Sequence, residues 1–176
     1  MTEGAIRGAL VDAIATAGGA DQISVSVRAL SDRRLIDALL SAAARGARLQ
    51  VLLDPEAAPN RAVAGELARD GGQQIELRWF APGAAALPTA LAIVRRRAEL
   101  WVYLGAADYT RPSLDDCNLE AAIELRLPAR AQAARALAES FANQWLSAAV
   151  GAPYADESQA SYWRYRLLQA GRLAPF

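Results

Sequence analysis

Apolar residues recur at helical spacing at the start of the chain. Ile6, Leu10 and Ile14 share one face, which predicts a helix over residues 3–17, ended by Gly18-Gly19. The period then drops to two. Ile23, Val25 and Val27 alternate with Ser24, Ser26 and Arg28, the signature of a half-buried strand. Ser31 is placed to cap a second helix with the stripe Leu35, Ile36, Leu39, Leu40 and Ala43, and Gly46 supplies a left-handed stop. Residues 48–54, RLQVLLD, are almost continuously apolar and predict a strand buried on both faces. Pro59-Asn60 opens a helix that runs to about Asp70 and closes at Gly71-Gly72, and QIELRWF (74–80) alternates as a third strand.

The stretch from Ala86 to Thr110, ALPTALAIVRRRAELWVYLGAADYT, predicts two short apolar strands joined by an arginine turn, then a loop of small residues. Leu119, Ala121, Ile123, Leu125 and Leu127 alternate with polar neighbours as a sixth strand. After Pro128 a long helix carries Ala134, Leu137, Ala138, Phe141, Trp145 and Leu146 along one stripe. Strands separated by helices favour parallel pairing, and the later run of adjacent strands favours hairpins. The expected fold class is α/β: a mixed β-sheet of about six strands with helices on both faces. Residues 1–150 form the lobe. Residues 147–160 read as a linker, and 151–176 as linker plus an aromatic C-terminal tail that docks on the lobe.

Composition adds limits. A chain of 176 residues with 53% hydrophobic and 22% charged residues suits one globular domain that needs no disulfide or metal. No apolar run reaches the ~20 residues that span a bilayer. The start Met-Thr-Glu-Gly is acidic, unlike a signal peptide, so a cytoplasmic protein is expected, with peripheral membrane association left open. Net charge is +0, which gives no global attraction to nucleic acid or anionic lipid.

Two absences bear on chemistry. The chain has no histidine, and all 19 basic residues are arginine. Histidine is the usual proton shuttle near neutral pH, and lysine the side chain most readily tuned to a base. Arginine only donates. Every mechanism that needs an imidazole from this chain is excluded. Carboxylate chemistry is not.

Three stretches together resemble the phospholipase D-like superfamily. SVSVRALSDRRLIDALLSAAARGARLQVLLD is similar to the opening of such a domain, and LWVYLGAADYTRPSLDDCNLEAAIEL to the segment after its catalytic motif. YWRYRLLQAGRLAPF is similar to the end of bacterial members with two lobes. The resemblance implies phosphodiester chemistry by a His-x-Lys followed by an Asp, with two lobes facing across one site. One histidine attacks phosphorus, the other protonates the leaving oxygen, and a Gly-Ser-x-Asn loop helps hold the developing charge.

Carried onto this chain, the histidine position falls on Pro88, the lysine on Ala90 and the aspartate on Arg95. The loop reads Gly105-Ala106-Ala107-Asp108, so serine has become Ala106 and asparagine has become Asp108. Asn118 and Glu120 match the family's polar strand positions. The implied reading is a non-catalytic lobe, the C-terminal structural half of a larger phosphodiesterase- or phosphatidyltransferase-like protein. Its partner is a second lobe, upstream in the same parent chain or a homodimer mate. The alternative is a stand-alone module that binds a phosphate-bearing ligand, lipid headgroup or nucleic acid, through Arg95, Arg96 and Arg97 and the old cleft.

The remaining features have plainer readings. The arginine turn equally suits a solvated hairpin end, since nothing aromatic interleaves with it in sequence. Asp115, Asp116, Asn118 and Glu120 lack calcium-loop spacing, and no metal or other cofactor is expected. Glu120 and Glu124 share a strand face as a candidate carboxylate pair. Cys117 has no histidine to activate it. Trp145, Tyr162, Trp163 and Tyr165 suit a core helix with a docked tail.

Overall fold

The computed structural model describes residues 3–80, 89–114 and 121–150. Pro88, Asp115, Asp116, Cys117, Asn118, Glu120 and the whole tail from 151, with Tyr162, Trp163 and Tyr165, lie outside the described residues. The elements are α1 (Glu3–Ala15), β1 (Gln22–Val27), α2 (Arg33–Ala44), β2 (Arg48–Leu53), α3 (Asn60–Gly71), β3 (Ile75–Trp79), β4 (Ala90–Arg95), β5 (Glu99–Gly105), the short α4 (Arg111–Leu114), β6 (Ala122–Pro128), α5 (Gln132–Ser147) and β7 (Ala149–Val150).

All strands join one sheet in the order β6-β5-β4-β1-β2-β3-β7. β1, β2 and β3 are parallel because a helix returns the chain between each pair. β4, β5 and β6 run antiparallel, and β4 docks antiparallel on β1 at the centre. The expected mixed sheet is present. It gains a seventh strand, because Ala149 and Val150 pair with Trp79 and Arg78 where a linker was expected.

One layer of core lies between α1–α3 and the sheet. Ile6, Leu10 and Ile14 pack there with Val25, Val51 and Leu39. The other lies under α5, where Phe141 and Trp145 cover Leu52, Ile93 and Val102. With both faces covered, β1 is buried from Ile23 to Val27, not half-buried as its alternation suggested. Ser24 and Ser26 lie inside, and Ser26 Oγ donates to Gln144 Oε1 on α5 at 2.9 Å.

Three local expectations are corrected. The cap of α2 is Asp32, whose carboxylate accepts from Leu35 N at 3.1 Å; Ser31 is one residue too early. The apolar side of β6 is covered only near its C-terminal half. α5 starts beside Pro128 and crosses the sheet obliquely to reach β1 and β3, so Leu125 and Leu127 pack beneath it. Ile123, at the far end of the strand, is 59% exposed. Leu146 is 76% exposed, because one residue past Trp145 the helix has turned about 100° away from the sheet. The Gly46 stop holds, with φ of 90° in the left-handed region.

Candidate functional site

The C-terminal ends of β1 and β2 meet the start of β4 and the end of β5 at one rim of the sheet. Open α/β sheets gather ligands at such strand ends because the loops there are free to carry side chains. Ala90, Gly105 and Ala122 form a row across β4, β5 and β6. Gly105 is required there, since a Cβ would sit 2.6 Å from Ala121 O and 2.8 Å from Ala122 Cβ.

The small-residue loop after Gly105 is stitched to the loop after β1 by main-chain bonds. Tyr109 N donates to Ala29 O at 2.9 Å, and Tyr109 O accepts from Ser31 N at 2.8 Å and Asp32 N at 2.9 Å. This brings Asp108 against Arg28. The carboxylate accepts from the Arg28 guanidinium and, at 3.2 Å, from Ala29 N. Ala106 points out to solvent and carries no polar group. Ala90 is buried and carries none either.

Asn60, at the first position of α3, sits beneath this rim and is fully buried. Its Nδ2 donates to Arg28 O and to Asp54 O, each at 2.7 Å, and its Oδ1 accepts from Leu30 N at 2.9 Å. One side chain therefore ties the exits of both β1 and β2. Neither Arg28 nor Asn60 stood out as a site residue in the sequence. The available hint was an asparagine, a poor helix former, directly after proline at a helix start.

Burial pushes the Asp108 carboxyl above its ordinary value of 3.8; Arg28 and Ala29 N–H oppose that push, and Asp54 adds to it. The folded protein therefore holds this proton more tightly than the unfolded chain does. The neutral acid's contribution to stability is complete below 3.8 and is lost as pH rises through the raised value. Asp108→Asn is expected to remove that loss. The variant's melting temperature, measured relative to the unsubstituted protein, should increase as pH is raised across this window; a flat or falling difference contradicts the burial argument.

The arginine turn is elsewhere. Ala90 begins β4 and Arg95 ends it, five residues and about 17 Å along the strand. Arg95, Arg96 and Arg97 thus lie at the opposite rim, and the expectation that they share one ligand with the old cleft is corrected. An aromatic side chain does interleave with them. Trp101 lies between Arg96 and Arg126, each guanidinium carbon 4.2 Å from the ring centroid. Arg96 also reaches Ala13 O at 3.3 Å and the Thr16 hydroxyl at the end of α1. Glu124 accepts from Arg126 Nε at 2.8 Å, and its candidate partner Glu120 is outside the described residues. Among the described residues, no cluster of His, Cys, Asp or Glu could hold a metal ion, and no helix is long and apolar enough to cross a membrane.

Comparison with solved structures finds the same fold. NucT from Helicobacter pylori superposes with a TM-score of 0.64 at 17% identity, covering 84% of this chain and 91% of that one. Nuc from Salmonella typhimurium, a phospholipase D family member, superposes with a TM-score of 0.64 at 20% identity, covering 82% and 90%. No curated protein matches the sequence. The family described as "Cardiolipin synthase, PLD-like domain" matches residues 10–145, more than half the chain, from the second half of α1 to near the end of α5. This chain belongs to the phospholipase D-like family.

Proposed function

We propose that this chain is a non-catalytic phospholipase D-like lobe that packs against a second lobe and closes one wall of its cleft. One observation carries the reading: the polypeptide has no histidine and no lysine, so no side chain supplies an imidazole nucleophile or an ammonium group for phosphoryl transfer. Loss of the nucleophile from such a site costs about a millionfold in turnover. The geometry at the rim supports the same reading. The side chain at the family's asparagine position is a carboxylate already held by Arg28, so a negative charge stands where a phosphate would sit. Exposed Ile123 lies at the same rim, beside Leu104, and suits an apolar contact with a partner lobe.

The test is a phosphodiesterase assay with bis(p-nitrophenyl) phosphate. The purified chain alone is expected to release no product above background. Mixed with a lobe that carries an intact His-x-Lys motif, it should co-elute, and any turnover should vanish when that lobe's histidine is replaced. Turnover by this chain alone, abolished by Asp108→Asn or Glu124→Gln, would overturn the proposal.

A further inference from the structure

The rim opposite the candidate site collects arginines that the fold does not use. Arg48 opens β2 and Arg95 ends β4, and both register with Gln22 on the strand between them. Arg97 is at the hairpin tip. Arg130 follows Ala129, whose N–H donates to Ala98 O at 2.8 Å and so fixes the start of the α5 loop beside that tip. All four are exposed, and none makes an ion pair or a side-chain hydrogen bond among the described residues. Several arginines elsewhere are engaged: Arg7 with Asp32, Arg28 with Asp108, Arg33 with Asp37 and Glu66.

Asp21 and Glu99 lie among them and keep their charge, but neither forms an ion pair with these four arginines. Asp21 accepts from Gly18 N at 3.0 Å, and Glu99 accepts from Trp101 Nε1 at 2.9 Å. Four guanidinium groups against these two carboxylates leave the rim net positive in a protein whose net charge is +0. It spans four strand spacings, about 20 Å.

We infer that this rim binds the phosphate backbone of double-stranded nucleic acid, without reading sequence. Three features select this ligand. Guanidinium forks match phosphate oxygens bidentately, and every cation here is arginine. A membrane surface would call for apolar side chains among the arginines, to enter the acyl boundary. The two large apolar side chains exposed among the described residues, Ile123 and Leu146, lie away from this rim, on the part of β6 and the last turn of α5 nearest the candidate site. A single strand would call for open aromatic faces on which bases stack. Trp101 is occupied by Arg96 on the β4 side and Arg126 on the β6 side, so it stiffens the arginines and offers no platform.

The experiment is fluorescence anisotropy with a labelled duplex, a labelled single strand of the same sequence, and phosphatidylglycerol vesicles as competitor. With about four phosphate contacts, affinity for the duplex should fall on the order of 100-fold between about 50 and 200 mM salt. Arg95→Gln with Arg97→Gln should weaken duplex binding about tenfold or more and lower the salt slope by about two. Arg34→Gln with Arg61→Gln removes the same charge from exposed positions near the helix starts at the other end, and should leave binding within about twofold. Circular dichroism confirms that both variants fold. The inference is overturned if the duplex does not bind at low salt, if both double variants lose affinity equally, or if single strands or vesicles are preferred. These outcomes are independent of the diesterase assay, so the inert-lobe reading and this one fail separately.

Discussion

Replacing Asn60 with alanine is expected to destabilise the fold by about 3–5 kcal/mol, a large share of the 5–15 kcal/mol that holds a typical domain. The side chain satisfies Arg28 O, Asp54 O and Leu30 N at once, the last through a fully buried bond and the two carbonyls through part-buried ones. Truncation removes all three bonds, at about 1–3 kcal/mol for the buried Leu30 N–H and about 1 kcal/mol for each part-buried carbonyl. Urea unfolding monitored by circular dichroism measures the loss as a lower midpoint at unchanged slope. Aspartate is an informative second substitution. It keeps the acceptor for Leu30 N but sets a carboxylate oxygen against the two carbonyls, so Asn60→Asp should be at least as damaging as alanine near neutral pH. A loss below about 1 kcal/mol for either variant would mean that the rim is held by the main-chain stitching around Tyr109 alone.

That bolt also shows where sequence reasoning reaches its limit. The order of elements was legible because each apolar period is local: Ile6, Leu10 and Ile14 can only line one side of a helix. The parallel β1-β2-β3 half follows from the helices between the strands. The docking of β4 on β1 does not, because no pattern in either strand names its partner across 65 or more residues. Polar residues inside the sheet were misread for the same reason. Ser26 looks solvent-facing until Gln144 arrives from α5. Asn60 looks like a helix opening until its three partners in two other loops are known. At the candidate site, alignment with a familiar motif located Ala90, Gly105 and Asp108. It could not show that Arg28 would claim Asp108, nor that the arginine turn faces the other way. The direction of β4 decides the second point, and the antiparallel register of the hairpin decides that direction.

The two rims divide the molecule in a way that bears on function. At one rim charge is consumed internally: Asp108 by Arg28, Asp32 by Arg7, Glu66 by Arg33. At the other, Arg48, Arg95, Arg97 and Arg130 make no ion pair among the described residues. Self-satisfied charge costs little to cover with a partner surface, because few unpaired groups are left to desolvate. Unpaired exposed arginine is costly to cover with anything but an anion. The rim around Asp108 is thus suited to the proposed protein partner, and the distal rim to the proposed anionic ligand.

The buried pair beneath the first rim carries the second large effect. Asp32→Ala is expected to cost about 3–5 kcal/mol through the ion pair, plus about 1 kcal/mol through the lost helix cap. Both side chains are nearly inaccessible, at 9% for Arg7 and 5% for Asp32, and Arg7 Nε donates to Asp32 Oδ2 at 2.9 Å. The other oxygen, Oδ1, accepts from Leu35 N and starts α2. Removing the carboxylate leaves a guanidinium in a site that water reaches poorly, and it frees the first turn of α2 at the same time. Asp32→Asn separates the two roles. It preserves an acceptor for Leu35 N and removes the charge, so its loss should equal the alanine loss less the cap, about 1 kcal/mol smaller. The neutral pair Arg7→Met with Asp32→Asn should recover most of the remainder, because well-packed apolar groups replace buried ion pairs at little cost. Denaturant unfolding of the three variants checks the series. If the double variant is no more stable than Asp32→Asn alone, loss of the Arg7–Asp32 ion pair is not the source of the effect, and the contribution of Asp32 lies in capping α2.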